Sequence, residues 1–266
     1  MSPQITPVPA ETRQLIESRL ASIASEQNIK ILYACESGSR AWGFPSPNSD
    51  YDVRFIYVHS LDWYLKLDED RDVIDLPLEH SSAGILDLGG WDLRKTLRLL
   101  GKSNPVIWEW LQSPICYHDE KLLRESREVF DPFYSPIAAC HHYLSICRNT
   151  MSQGLNESTV KIKKYFYMLR PLLAAVWIER YRSIPPMELE PLLAALDDRL
   201  DIKCSISELQ ERKQNTDEQV PIPRITMIDQ FLESEVSRLQ EPAKLLPTGG
   251  GDKDKLDAFF CQSIIQ

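Results

Sequence analysis

Asp50 and Asp52 stand two residues apart at the opening of a β-prone run, shortly after Gly38-Ser39 closes an apolar one. Side chains at i and i+2 of a strand leave the same face, so these two carboxylates come close enough to share a cation. Paired hard oxygens suit Mg²⁺, which fills its other octahedral positions with water and substrate phosphate. The Gly-Ser turn supplies the complementary half. Glycine lets the backbone approach a phosphate, and a helix starting there offers unpaired N–H groups. Arg40 beside the turn adds a charged fork for a triphosphate. A D-x-D alone is common, and a Gly-Ser alone carries nothing. The combination of apolar strand, Gly-Ser turn, short gap and D-x-D opening a second apolar strand points to metal-assisted phosphate chemistry. The plain alternative, that Asp50 and Asp52 merely solvate a strand start, conflicts with a strand that reads as buried on both faces further on.

These residues need two neighbouring strands and a cover. Residues 29–35 form a short buried strand preceded by an amphipathic helix over 11–27, with Leu15, Ile16, Leu20 and Ile23 on one side. Residues 43–48 are a proline-rich loop. In the strand over 50–58, Tyr51, Val53, Phe55 and Tyr57 face one way, and Asp50, Asp52, Arg54, Ile56 and Val58 the other. Its second half is apolar on both faces, which makes it central. Residues 68–75 read as an exposed acidic connection, and 84–88 as a strand ended by Gly89-Gly90. A helix begins near Trp91, and Asn104-Pro105 caps another that reaches Leu111.

Beyond about residue 119 only helical periods recur, over 137–151, 160–181, 188–200, 206–214 and 228–239. Residues 247–251 read as a flexible linker, and Leu256, Phe259, Phe260 and Ile264 form a last amphipathic helix. The expected organisation is α+β: an α+β unit over 1–118 followed by an all-helical unit over 119–266.

With 266 residues, 43% hydrophobic and 26% charged, the chain has the composition of an ordinary globular protein. It has no apolar run long enough to cross a membrane and no secretory signal at its start. The six cysteines make no C-x-x-C pair, so free thiols in a reducing compartment are expected, and with them a cytoplasmic location. His141-His142 with Cys140 and Cys147 match no zinc spacing. A net charge of −9 excludes a surface that grips nucleic acid everywhere. Local basic clusters remain, at Arg94, Lys95, Arg98 and Lys102 and at Lys161, Lys163, Lys164 and Arg170. Trp42 and Phe44 either stack on a base or anchor their loop.

The stretches 36–44 (Glu-Ser-Gly-Ser-Arg-Ala-Trp-Gly-Phe) and 49–54 (Ser-Asp-Tyr-Asp-Val-Arg) resemble the polymerase-β-like nucleotidyltransferases. More narrowly, with 90–95, 102–105 and 163–171, they resemble the predicted nucleotidyltransferase family associated with RNA repair (RlaP-like). The likeness covers roughly residues 30–180. It implies a mixed-sheet nucleotidyltransferase core bearing three acidic metal ligands, Asp50, Asp52 and one from a later strand. Asp87, a polar residue inside an apolar strand, is the choice for the third. Asp92 is the rival, at a helix start where aspartate commonly caps. The resemblance further implies two Mg²⁺ ions, with Mn²⁺ as a substitute, an NTP such as ATP as substrate, and Asp87 as general base. Gly38, Ser39, Arg40 and Arg54 are the nucleotide-binding candidates, joined by Lys161 and Lys164 from the helical unit. RNA is the implied partner and its 3′ end the implied acceptor. A protein or small-molecule acceptor is the enzymatic alternative; a non-catalytic nucleotide sensor is disfavoured because the carboxylates are intact. No membrane partner is implied, and oligomeric state is not legible.

Overall fold

A computed structural model describes residues 7–68, 70–155, 158–196, 199–217 and 219–265. The chain opens with helix α1 (Ala10–Glu26), strand β1 (Lys30–Ser37) and a single helical turn α2 (Gly38–Ala41). Then come β2 (Tyr51–Val58), α3 (Leu61–Tyr64), β3 (Val73–Asp75), β4 (Glu79–Ser81), β5 (Gly84–Asp92), α4 (Leu93–Gly101), α5 (Val106–Leu111), β6 (Cys116–Asp119), α6 (Leu122–Glu125) and α7 (Arg127–Phe130). The helical part contains α8 (Pro136–Gly154), β7 (Thr159–Lys161), α9 (Ile162–Tyr181), α10 (Leu189–Leu193), α11 (Leu200–Gln214), β8 (Pro221–Pro223), α12 (Thr226–Arg238) and α13 (Gln240–Ala243), and α14 (Lys253–Ile265) follows it.

Two compact units result, and they interleave along the chain. Among the described residues, one comprises 7–41, 50–134 and 250–265; the other comprises 42–49 and 135–249. The first holds a mixed sheet of order β3-β5-β2-β1-β6, with β4 also pairing β5. Strands β1 and β2 are antiparallel, whereas β2 and β5 run parallel. Strand β2 is therefore central, as its two apolar faces require. One sheet face is dry: Tyr51, Val53, Phe55, Tyr57, Leu86 and Leu88 pack with Ile16, Leu20 and Ile23 of α1. Alternation leaves Asp52, Arg54 and Asp87 half-buried on the opposite face.

Several local expectations change. Strand β1 runs on through Ser37, because the buried Glu36 finds donors for its carboxylate. Strand β5 does not end at Gly89-Gly90 but continues to Asp92. Phe55 lies so close over Gly90 that a Cβ there would fall 2.2 Å from its ring, so the glycine is a packing requirement rather than a break. Part of the acidic stretch forms β3, and β6 adds an edge strand beside β1. Residues 160 and 161, expected to start a helix, instead belong to β7, which pairs with β8.

In the second unit α8 packs on α9, and the segment Trp42–Ser49 is fastened to this unit. Phe44 is fully buried and stacks on Phe166 with ring centres 4.5 Å apart. Lys213, also fully buried, donates to the Phe44 carbonyl and to Ser46 Oγ, both at 2.9 Å. Trp42 meets Tyr167 edge-on, and the Arg170 guanidinium covers its ring at 4.7 Å. These aromatics anchor their loop. In the sheet unit α14 docks on α4 and α7, with Phe259 against Phe130 and Phe260 against Tyr64. The expected linker is docked at its far end, where the Gly250 amide donates to the Pro132 carbonyl. All six cysteines are free; Cys204 and Cys261 are exposed. No helix among the described residues is long and apolar enough to cross a membrane.

Candidate active site

Strand β1 delivers the Gly-Ser turn and β2 the carboxylates. Gly38 takes a left-handed conformation (φ +67°), which disfavours any side chain. A Cβ there would lie 2.0 Å from Asp52 Oδ2, so Gly38 and the Asp52 carboxylate occupy adjoining space. Helix α2 is one turn long, so what it offers an anion is a few backbone N–H groups rather than a developed dipole. Arg40 next to it lies over the Tyr51 ring at 3.9 Å and donates Nε to the Asp50 carbonyl at 3.1 Å.

Asp52 is flanked by Ser37 on one side and Asp87 on the other, each its Cα partner across a strand pair. The third carboxylate chosen from the sequence thus stands directly beside the D-x-D strand. Arg54, two residues on from Asp52 and on the same face, crosses to β5. Its Nη2 lies 2.8 Å from Asp87 Oδ2 and 3.7 Å from Asp52 Oδ1, while Nη1 donates to the Asp87 carbonyl at 2.7 Å. Burial works against the Arg54 charge, but the Asp87 hydrogen bond and the charges of Asp87 and Asp52 hold its pKa above the usual arginine value. Among the described residues no three His, Cys, Asp or Glu side chains converge on one point. Asp52 and Asp87 are brought together; Asp50, immediately before β2, does not complete a trio with them. The donor chemistry of the Asp52–Asp87 pair nevertheless suits a hard divalent cation, since both carboxylates face one positively charged nitrogen.

Asp92 plays another part. It is fully buried, caps α4 by accepting the Arg94 amide at 2.8 Å, and accepts the Tyr64 hydroxyl at 2.6 Å. Burial pushes its pKa up, opposed by these two bonds.

Glu36 was not singled out from the sequence, and it lies behind Asp52. It is fully buried; Oε1 accepts the Asp52 amide at 2.8 Å, and Oε2 accepts the Tyr117 hydroxyl. Burial pushes its carboxyl up to about 7, against the lowering effect of those bonds. A charged residue at the end of a buried run, just before a Gly-Ser turn, was the available signal.

The two lysines proposed for the triphosphate belong to the helical unit. Lys161 precedes α9 and donates to Gln219 Oε1 at 2.8 Å; Lys164 donates to the Gln153 carbonyl at 3.1 Å. Arg170 is buried and donates to the Met187 carbonyl, so it serves packing. Asn104 Oδ1 accepts the Val106 amide, the capping role. Cys147 touches Met151, and Cys140 lies 4.0 Å from the Ala175 carbonyl. In the sheet unit a cavity of about 660 Å³ is lined by Arg94, Arg98, Lys102, Lys253, Leu256 and Phe260 among others.

Comparison with known proteins places the chain in a family. A family model for the RNA repair pathway DNA polymerase beta family matches residues 12–262. The chain is 45% identical over 235 residues to YcgL of Bacillus subtilis (strain 168), an uncharacterised protein, covering 88% of this chain and 89% of that one. A solved nucleotidyltransferase-like protein from Exiguobacterium sibiricum 255-15 is similar at 14% identity and a TM-score of 0.33, over 86% of this chain and 74% of that one. With a mixed sheet, a Gly-Ser turn against Asp52 and a family match along nearly its whole length, the protein belongs to the RNA repair pathway DNA polymerase beta family and is a nucleotidyltransferase.

Proposed function

We propose that the protein transfers a nucleoside monophosphate from an NTP to the 3′-hydroxyl of an RNA, releasing pyrophosphate, in the cytoplasm. The observation that carries this reading is the side-by-side placement of Asp52 and Asp87 on parallel strands, with Gly38 packed against Asp52. Asp52 and Asp87, with Asp50 as the third carboxylate although it does not converge with them in this structure, would hold Mg²⁺, or Mn²⁺, and the ions would neutralise the triphosphate and lower the pKa of the acceptor hydroxyl.

The remaining work falls to the chain. Backbone N–H groups at Gly38-Ser39 face the phosphates, and Arg40 steadies the approach to Asp50. Asp87 takes the proton of the acceptor hydroxyl. That oxygen forms its bond to the α-phosphorus while the bond to pyrophosphate breaks in line. Positioning and charge neutralisation supply most of the acceleration. An RNA acceptor is supported by the cavity in which Arg94, Arg98, Lys102 and Lys253 outnumber Asp257, in a chain of net charge −9.

The test is incubation of pure protein with each labelled NTP, Mg²⁺ and pools of cellular RNA and of protein. Label is expected in RNA and absent with Asp52→Asn. Label in protein would reassign the acceptor. Equal labelling by wild type and Asp52→Asn would remove the carboxylates from the chemistry.

A further inference from the structure

Arg54 is held from two directions. Nη1 donates to two backbone carbonyls, Asp87 O at 2.7 Å and Val53 O at 3.0 Å. Nη2 turns to the carboxylates, 2.8 Å from Asp87 Oδ2 and 3.7 Å from Asp52 Oδ1. Its Cα partner on β5 is Gly89, which places no side chain beside the arginine stem. The backbone acceptors hold the guanidinium in place independently of the carboxylate oxygens. Arginine keeps its charge throughout the working pH range, so one positive charge is permanently built into this pair.

We propose that Arg54 is the resident counter-cation of the Asp52–Asp87 pair and competes with a divalent ion for the same two oxygens. This rests on the metal-dependent reading above. The charge lets two carboxylates stand side by side on neighbouring strands without mutual repulsion opening the sheet. It also lowers the pair's net charge from −2 to −1 and repels an incoming dication at close range. A divalent ion alone therefore binds weakly. It binds well together with an NTP, whose phosphates bring further oxygen ligands and offset the guanidinium. Arg54 thereby makes metal loading depend on nucleotide.

The experiment is Mn²⁺ binding to nucleotide-free protein, read as loss of the free-ion signal in electron paramagnetic resonance. Wild type, Arg54→Met, Arg54→Gln, Arg54→Lys and Asp52→Asn are compared, each checked for native circular dichroism. Arg54→Met is expected to bind Mn²⁺ roughly three- to tenfold tighter than wild type. The Gln variant gives the same reading should Met not fold, and Lys, which keeps the charge, stays near wild type. A merely structural arginine would not tighten metal binding when removed. Mn²⁺ affinity unchanged or weakened in both neutral variants overturns the proposal. Mn²⁺ binding in wild type that Asp52→Asn leaves unaltered overturns the metal-dependent reading instead, and this inference with it.

Discussion

The Asp52 amide donates to Glu36 Oε1 across the β1–β2 pair at 2.8 Å, so a buried side chain fills a place where strands normally bond through their backbones. The second Glu36 oxygen takes the Tyr117 hydroxyl. Glu36→Ala removes the acceptor that both the Asp52 amide and the Tyr117 hydroxyl use. The expected loss in urea unfolding is about 2–4 kcal/mol. Glu36→Gln keeps an acceptor for Asp52 and loses under about 1.5 kcal/mol. Equal losses for the two variants would mean that the cavity, not the hydrogen bonds, sets the cost.

Gly38→Ala combines backbone strain with a steric conflict at Asp52 Oδ2. Because it displaces a carboxylate at the reacting centre, turnover is expected to fall about a hundredfold or more. Gly43 also has a positive φ (+87°), yet a Cβ there meets nothing within 4 Å. Gly43→Ala therefore costs about 1 kcal/mol in stability and leaves turnover nearly unchanged. Side-by-side kinetics and melting curves separate the two effects.

Asp87 and Asp92 should part company by phenotype. Asp87→Asn is expected to lower kcat far more than nucleotide affinity. Asp92→Ala removes a cap and the Tyr64 acceptor, costing about 1–2 kcal/mol while the folded fraction keeps its kcat. The pH dependence has a definite sign. Burial raises the Asp92 pKa, so its contribution is fully present below its unfolded value and is lost as pH rises through its folded value. Asp92→Asn, a neutral cap, is spared that loss. Its stability relative to wild type should improve from acidic to neutral pH in urea titrations, and a constant difference would contradict the raised pKa.

Lys161→Ala with Lys164→Ala is expected to weaken NTP binding while leaving the bare nucleoside nearly unaffected. Calorimetry with both ligands distinguishes this from a general loss of the site. An NTP affinity untouched by the double substitution would return both lysines to their present partners, Gln219 and the Gln153 carbonyl.

Much of this was legible in the residues because it rests on local periodicity. The alternation in β2 reveals which face carries Asp52 and Arg54, and the 3.6-residue periods locate α1, α8, α9 and α12. Asp87 stands out because one acidic residue interrupts an apolar strand, and the register sets it beside Asp52. What was missed depends on partners far away in sequence. Gly89 and Gly90 look like a strand terminus until Phe55 on β2 is seen to claim the space above Gly90. The short strands β4, β6, β7 and β8 carry too few residues to show a period; register against β5, β1 and each other creates them. Glu36 reads as a strand end in sequence, because its donors come from residues 52 and 117.

The assignment of α14 to the sheet unit has a consequence for synthesis of the chain. The proposed catalytic carboxylates leave the ribosome early, Asp50 just before β2, Asp52 on it and Asp87 on β5. Leu97 and Leu100 of α4 and Phe130 of α7 belong to elements that α14 covers, and α14 follows the whole helical unit in the sequence. The helical segment can therefore assemble while the sheet unit still exposes the apolar surface that α14 covers. A product truncated after α13 would carry all three aspartates on a unit whose apolar surface is left uncovered.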